Sequence, residues 1–252
     1  MTGQSGLSPF FRLVRFGEID STNEEAKRRA ASGAPEGTLV TAAAQSAGRG
    51  RRGRSWVSVP GNLYMSLLLR PERSAGAAAQ LGFAAALALG EAVSPLLPPG
   101  RELGYKWPND VLVGGRKISG ILLESQASAE GELDWLVVGI GVNIASHPAA
   151  SDYPATSLAA EGAATVTPAT LLEGVAGRLL FWYELWLAEG FAPLRRAWLA
   201  HAIGLEQPIR VRLADGESTG RFAGLDEEGA LLLENGATLR RIAAGDVFPA
   251  AG

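Results

Sequence analysis

Gly48-Arg49-Gly50-Arg51-Arg52-Gly53-Arg54-Ser55-Trp56 sets four arginines among three glycines just ahead of a tryptophan. Each of these types has a use near an anion. Glycine lets backbone approach closely, guanidinium neutralises phosphate through forked hydrogen bonds, and indole offers a flat face to a base. The background is acidic, with 23 Lys plus Arg against 26 Asp plus Glu and a net charge of -3. Against that background the segment fits a loop that binds phosphate or a nucleotide. The same residues also fit a solvated basic loop, or an Arg-Gly binder of single-stranded nucleic acid that stacks bases on aromatics. A chain of pI about 5.6 lacks the broad basic face of the last kind.

Lys106-Trp107-Pro108-Asn109-Asp110 forms a second group, followed by Arg116-Lys117-Ile118-Ser119-Gly120. Pro108-Asn109-Asp110 suits a type I turn, and Arg116 and Lys117 could simply face water. Turn propensity does not account for Lys106, Asp110 and Lys117 on one short hairpin. That arrangement could hold a metal-bound triphosphate between a carboxylate and two ammonium groups. Other chemistry is excluded by composition. There is no cysteine for a disulfide, thiol nucleophile or thiolate metal site, and two histidines, His147 and His201, are too few for a histidine-based metal centre.

The surrounding pattern shows what must position these groups. Phe11 to Ile19 reads as a strand, and Asp20-Ser21-Thr22-Asn23-Glu24-Glu25 opens a helix with capping-box spacing at Ser21/Glu24 or Thr22/Glu25. Extended structure returns over Gly37 to Gln45 and Asn62 to Arg70, then an Ala-rich helix follows. Its clean apolar core, Leu81 to Gly90, is shorter than the ~20 residues that cross a bilayer. Gly104 to Ser125 reads as a hairpin with corners at Pro-Asn-Asp and Gly114-Gly115, and Leu133 to Ile144 adds a strand. Thr167-Pro168 caps a long helix, and a second helix spans about Pro193 to Ala202. Beyond Gly204, short apolar runs separated by Asp215-Gly216, Glu228-Gly229 and Asn235-Gly236 describe a small all-β module. The expected division is 1–204 and 205–252. The start, MTGQSGLSPFFR, lacks a basic stretch followed by a long apolar run, so no secretory signal and a cytoplasmic home are expected.

The order of the pieces closely resembles the catalytic domain of the biotin protein ligases. The motifs are Ser21 to Asn23, Gln45 to Trp56, Lys106 to Asp110, Arg116 to Leu122 and Gly139-Ile140-Gly141-Val142-Asn143-Ile144. The likeness runs from about Glu18 through Ile144, and the C-terminal module is similar to that family's SH3-like domain. It implies an α+β fold: a mixed sheet with packed helices, of the biotin/lipoate ligase type, plus a small SH3-like β-barrel. It implies ATP-dependent activation of biotin as an adenylate, then transfer to a lysine of a biotin carboxyl carrier protein domain. A lipoate or octanoate ligase or transferase is the alternative within the same fold class.

By position, the resemblance puts Ser21, Thr22, Asn23, Gln45, Arg49, Gly50, Arg51, Lys117 and Gly120 around biotin. It puts Arg52, Arg54, Trp56, Lys106, Asn109, Asp110 and Asn143 around ATP. Lys117, Arg51 and Asp110 would act in catalysis, with Asp110 near magnesium (Mg2+) through the phosphates and as an orienter of the attacking amine. Gly139 and Gly141 read equally as ligand contacts or as strand packed closely on a neighbour. A homodimer is a further partner the likeness admits, whereas a membrane or a specific nucleic acid is not expected. About twenty residues precede Ser21, too few for the DNA-binding winged helix of larger members, so operator binding is not expected either.

Overall fold

The computed structural model describes residues 6–127, 132–149 and 153–250. The first five residues, part of the stretch read above for a secretory signal, lie outside them. The strands of the larger part are β1 (Arg12–Ile19), β2 (Thr38–Gln45), β3 (Leu63–Leu69), β4 (Leu103–Lys106), β5 (Asp110–Val113), β6 (Arg116–Ala127) and β7 (Leu133–Val142). They form one sheet in the order β1-β2-β3-β7-β6-β5-β4. β1 and β2 run parallel and every other neighbour is antiparallel. The parallel pair needs a crossover, supplied by α1 (Thr22–Ala31).

Ser21 caps α1, its side chain accepting from Glu24 N. The reciprocal half of the capping box is absent, because the Glu24 carboxylate reaches Lys27 and Arg49 instead. α1 covers one face of the sheet with a small core of Ala26, Ala30, Val40, Leu68, Trp135 and Val137. The opposite face carries α2 (Ala75–Ala78), α3 (Leu81–Val93), α4 (Pro168–Glu189) and α5 (Ala192–Leu199). Ala75–Leu96 is long and apolar enough to cross a membrane by composition, but two thirds of its most apolar window is buried inside the protein. Alanines on α3, all but fully buried, let it pack tightly against the sheet and α4.

The C-terminal strands are β8 (Pro208–Arg212), β9 (Glu217–Leu225), β10 (Leu231–Asn235), β11 (Thr238–Ile242) and β12 (Asp246–Pro249), ordered β11-β10-β9-β8-β12. All are antiparallel, and among the described residues the ladder ends at β11 and β12 without closing on itself. This part shares its core with the larger one: Ile209, Val211, Phe222, Leu225 and Leu231 belong to the same cluster as Phe83, Trp107 and Trp198. Trp107 Nε1 donates to Gly229 O at 3.1 Å across the junction. The Trp107-Pro108 peptide is cis, and Trp107, Pro108 and Asn109 link the paired Lys106 and Asp110.

Candidate functional site

Strand register builds the floor of the site. Lys106 pairs with Asp110, Asp110 with Gly120, Gly120 with Gly141, and Gly141 with Tyr64, so one row crosses β4, β5, β6, β7 and β3. The next row contains Leu122, Gly139 and Ser66. Two adjacent glycines leave a trough in the first row, and Trp56 fills it. A Cβ at Gly141 would lie 2.6 Å from Trp56 Nε1, and one at Gly120 3.0 Å from Trp56 Cζ3. A Cβ at Gly139 would strike the Asn23 side chain. The two readings of these glycines therefore merge: they pack closely on neighbours, and the neighbours belong to the site.

Above this floor, beyond the N-terminus of α1, opens a cavity of about 480 Å3, a size that suits a small ligand. Among the residues singled out from sequence, Ser21, Thr22, Asn23, Gln45, Arg49, Gly50, Arg51, Arg54, Trp56, Lys106, Asn109, Asp110, Lys117, Gly120 and Asn143 all line it. Arg52 does not. Its left-handed backbone, φ 56°, turns the side chain away, and Nη1 donates to Asp246 at 3.1 Å.

At the α1 end the polar groups are fixed by one another. Thr22 N and Oγ1 donate to Gln45 Oε1 at 2.7 and 3.0 Å, and Gln45 Nε2 donates to Ser58 Oγ at 2.9 Å. Asn23 is engaged at both ends, Nδ2 donating to Glu124 Oε2 at 2.9 Å and Oδ1 accepting from Ser66 Oγ. It therefore braces α1 against β3 and β6 instead of presenting a free amide. Asn143 is similarly committed: it is buried, and Nδ2 donates to Thr156 O at 3.0 Å. Backbone N–H groups at a helix start add a positive potential that favours polar or anionic ligands.

At the other end, Asp110 lies between two ammonium groups. Lys106 Nζ is 3.0 Å from Oδ2 and Lys117 Nζ 2.6 Å from Oδ1. Burial alone would raise the Asp110 carboxyl, but Lys117 and Lys106 outweigh it and hold the group below its ordinary range. Each oxygen accepts from one ammonium group, so Asp110 anchors two lysines at this end of the cavity. Among the described residues there is also no group of three His, Cys, Asp or Glu that could hold a metal. The donor set does not fit a resident magnesium. Lys106 additionally lies 4.5 Å from the Tyr153 ring centroid and 5.8 Å from that of Phe248, while Lys117 lies 5.4 Å from that of Trp56.

The Arg-Gly loop is folded. Gly50 N donates to Arg54 O at 2.7 Å, Arg54 N to Arg51 O at 3.2 Å, and Trp56 N to Gly48 O at 2.9 Å. Charge repulsion predicts an open loop, yet the protein meets three of its arginines with carboxylates. Arg49 pairs with Glu24 and Glu124, and Arg52 and Arg54 pair with Asp246. The Arg51 guanidinium donates to a neutral side chain, Asn109 Oδ1, at 3.1 Å. Asn109 is held in turn by its own Nδ2 bond to Ile121 O at 2.6 Å.

Sequence reasoning missed Tyr64, Ser66, Glu124, Tyr153, Asp246 and Phe248. Two-residue alternation from Gly120 through Leu122 would have placed Glu124 on the site face. No local signal marks Asp246 or Phe248, which arrive from β12.

Comparison with known proteins matches these features. The Biotin/lipoate A/B protein ligase family model matches residues 7–200, and the Biotin protein ligase C terminal domain model matches residues 204–248. The biotin–(acetyl-CoA-carboxylase) ligase of Paracoccus denitrificans is 45% identical over 234 residues, covering 91% of this chain and 97% of that protein. Among solved structures, the biotin protein ligase of Aquifex aeolicus in complex with biotin and ATP superposes with a TM-score of 0.79 at 29% identity, covering 94% of this chain and 97% of that one. The Leishmania major biotin protein ligase in complex with biotinyl-5-AMP gives a TM-score of 0.63 at 25% identity, over 94% and 100% of the two chains. An α+β sheet with packed helices, a small β domain after residue 204 and a cavity lined by all five motifs come together here in one chain, which belongs to the biotin protein ligase family.

Proposed function

We propose that this protein is an ATP-dependent biotin–(acetyl-CoA-carboxylase) ligase, which forms biotinyl-5'-adenylate and transfers the biotinyl group to a lysine of a biotin carboxyl carrier protein. The supporting observation is that one cavity joins a neutral polar end, Ser21, Thr22 and Gln45, to a cationic end, Lys117 and Arg51. A neutral head group and a carboxylate on one molecule suit those two ends. The Aquifex and Leishmania relatives carry biotin with ATP and biotinyl-5-AMP respectively.

In the first step a biotin carboxylate oxygen attacks the α-phosphorus of ATP. The bond to the bridging oxygen breaks and pyrophosphate leaves. Lys117 and Arg51 face the charge that builds on the carboxylate and the α-phosphate, where a preorganised cation in a partly dry site is effective. Asp110 fixes the Lys117 ammonium, so little reorganisation is needed. In the second step the neutral amine of the carrier lysine attacks the acyl carbon and AMP departs. Here orientation and exclusion of water suffice, without a covalent enzyme intermediate. Ser21, Thr22, Gln45 and Gly50 hold biotin, and Trp56, Lys106, Asn109 and Arg54 border the nucleotide. Magnesium enters as part of the MgATP substrate. Residues 1–204 carry both substrates, 205–252 close the site from the side, and the reaction runs in the cytoplasm.

Incubation with biotin, MgATP and a purified carrier domain, read by intact mass, tests this reading. One biotinyl group on the carrier is expected. A carrier left unmodified, or modified equally well when lipoate replaces biotin, would overturn it.

A further inference from the structure

Asp246 belongs to β12, in the part of the chain that carries none of the motifs, yet its carboxylate reaches the Arg-Gly loop. Oδ2 accepts from Arg52 Nη1 at 3.1 Å, and both oxygens accept from Arg54 Nη2 at 3.2 Å. The Asp246 side chain is only 13% exposed, so water screens these contacts less than at an open surface. Arg51, Arg52 and Arg54 fall within four residues, and like charges so close oppose compaction of the loop. Neutralising two of them removes most of that repulsion. It also determines which arginine is left over. Among the described residues Arg51 has no carboxylate at bonding distance, and it lines the cavity beside Asn109 and Lys117.

We propose that Asp246 is a positioning residue for the adenylation reaction: it holds Arg52 and Arg54 on its own carboxylate at the cavity rim, keeps the loop folded, and leaves Arg51 as the arginine facing the reacting carboxylate. This rests on the ligase reading above. The consequence is kinetic. A loop already folded lets the substrate bind without supplying the free energy of loop closure, so the fraction of competent enzyme sets the apparent affinity. At saturation the substrate closes the loop whether or not Asp246 is charged. The residue therefore acts on KM for biotin and leaves kcat nearly unchanged.

The test compares wild type, Asp246→Asn and the charge-conserving Asp246→Glu. Two quantities are read: deuterium exchange of the amides of residues 49–55 without ligand, and pyrophosphate release against biotin concentration. In Asp246→Asn, loop exchange speeds up and KM for biotin rises by about three- to tenfold, the range of a partly covered ion pair, while kcat stays within about twofold. Asp246→Glu, which keeps the charge, retains slow exchange and the wild-type KM, a dependence on charge that a merely destabilised fold would not show. Unchanged exchange and KM in Asp246→Asn, or a loss of kcat at constant KM, would overturn the proposal. If wild type itself released no pyrophosphate, the ligase reading would fail, and the exchange comparison alone would still decide whether Asp246 holds the loop.

Discussion

Lys117 Nζ lies 2.6 Å from Asp110 Oδ1, and that carboxylate is buried and shared with Lys106. The pair orders the ammonium before any substrate arrives. Lys117→Ala is expected to lower adenylate formation by ~2 to 4 kcal/mol of barrier, the scale for losing one donor at a developing anion. Pyrophosphate release at saturating biotin and ATP measures it. A mutant that matched wild type would remove Lys117 from the chemistry.

Glycine at 141 is required by Trp56. Gly141→Ala puts a methyl group 2.6 Å from the Trp56 ring, so the indole must leave its trough. The expected result is weaker biotin and ATP binding, with the far-ultraviolet circular dichroism unchanged because the backbone of β7 tolerates alanine. Calorimetric titration would show it, and undiminished affinity would mean that the trough is not part of the binding surface. Gly139→Ala should act similarly through Asn23, whose side chain has no room to retreat while held by Glu124 and Ser66.

Acid should weaken the fold through specific carboxylates. Arg28 holds the Asp20 carboxyl at about 2 against an ordinary 3.8. Asp110 and Glu124 are also depressed: burial opposes this, but Lys117 and Lys106 outweigh it for Asp110, as do Asn23, Lys27 and Arg49 for Glu124. A depressed carboxyl stabilises the folded state above its unfolded value, and that contribution disappears as pH falls through the folded one. Urea midpoints should therefore decline between about pH 5 and pH 2, with Asp110→Asn flattening part of the slope. A midpoint constant across that range would contradict the ion-pair reading.

Three paired arginines do not make the loop permanent. Partly exposed ion pairs are worth about 1 kcal/mol or less each, so local opening remains accessible. Limited trypsin digestion should nick between Arg49 and Arg54 first, giving fragments of about 50 and 200 residues. Biotin with MgATP should slow the cut markedly and ATP alone should slow it less, because biotin supplies the surface the loop covers. Equal rates with and without ligands would remove any gating role.

What could be read from the sequence was what lies close along the chain. The hairpin bearing Lys106, Asp110 and Lys117 is contiguous, and its turn signals placed all three together. Ser21 as helix cap and the Arg-Gly loop were equally local. Asp246 could not be read this way, since a Gly-Asp turn beside a short strand has no distinctive pattern and only tertiary packing brings it to Arg52. Asn23 shows the opposite difficulty. Its type and position suggest a ligand contact, but Ser66, 43 residues away, and Glu124, 101 residues away, claim its hydrogen bonds. Composition likewise favoured like-charge repulsion in the loop because the compensating carboxylates come from α1, β6 and β12.

The Trp107 indole, donating to Gly229 and buried with Phe83, Trp198 and residues of the C-terminal sheet, makes the two parts of the chain hard to exchange independently. Trp107 sits between Lys106 and Asp110, so a foreign C-terminal module that failed to fit the indole would disturb the lysine pair as well as the core. Recombination between relatives at residue 204 should therefore succeed only when the surfaces around Trp107 and Gly229 come from matched parents. In this enzyme the inheritance of the small sheet is tied to that of the catalytic hairpin.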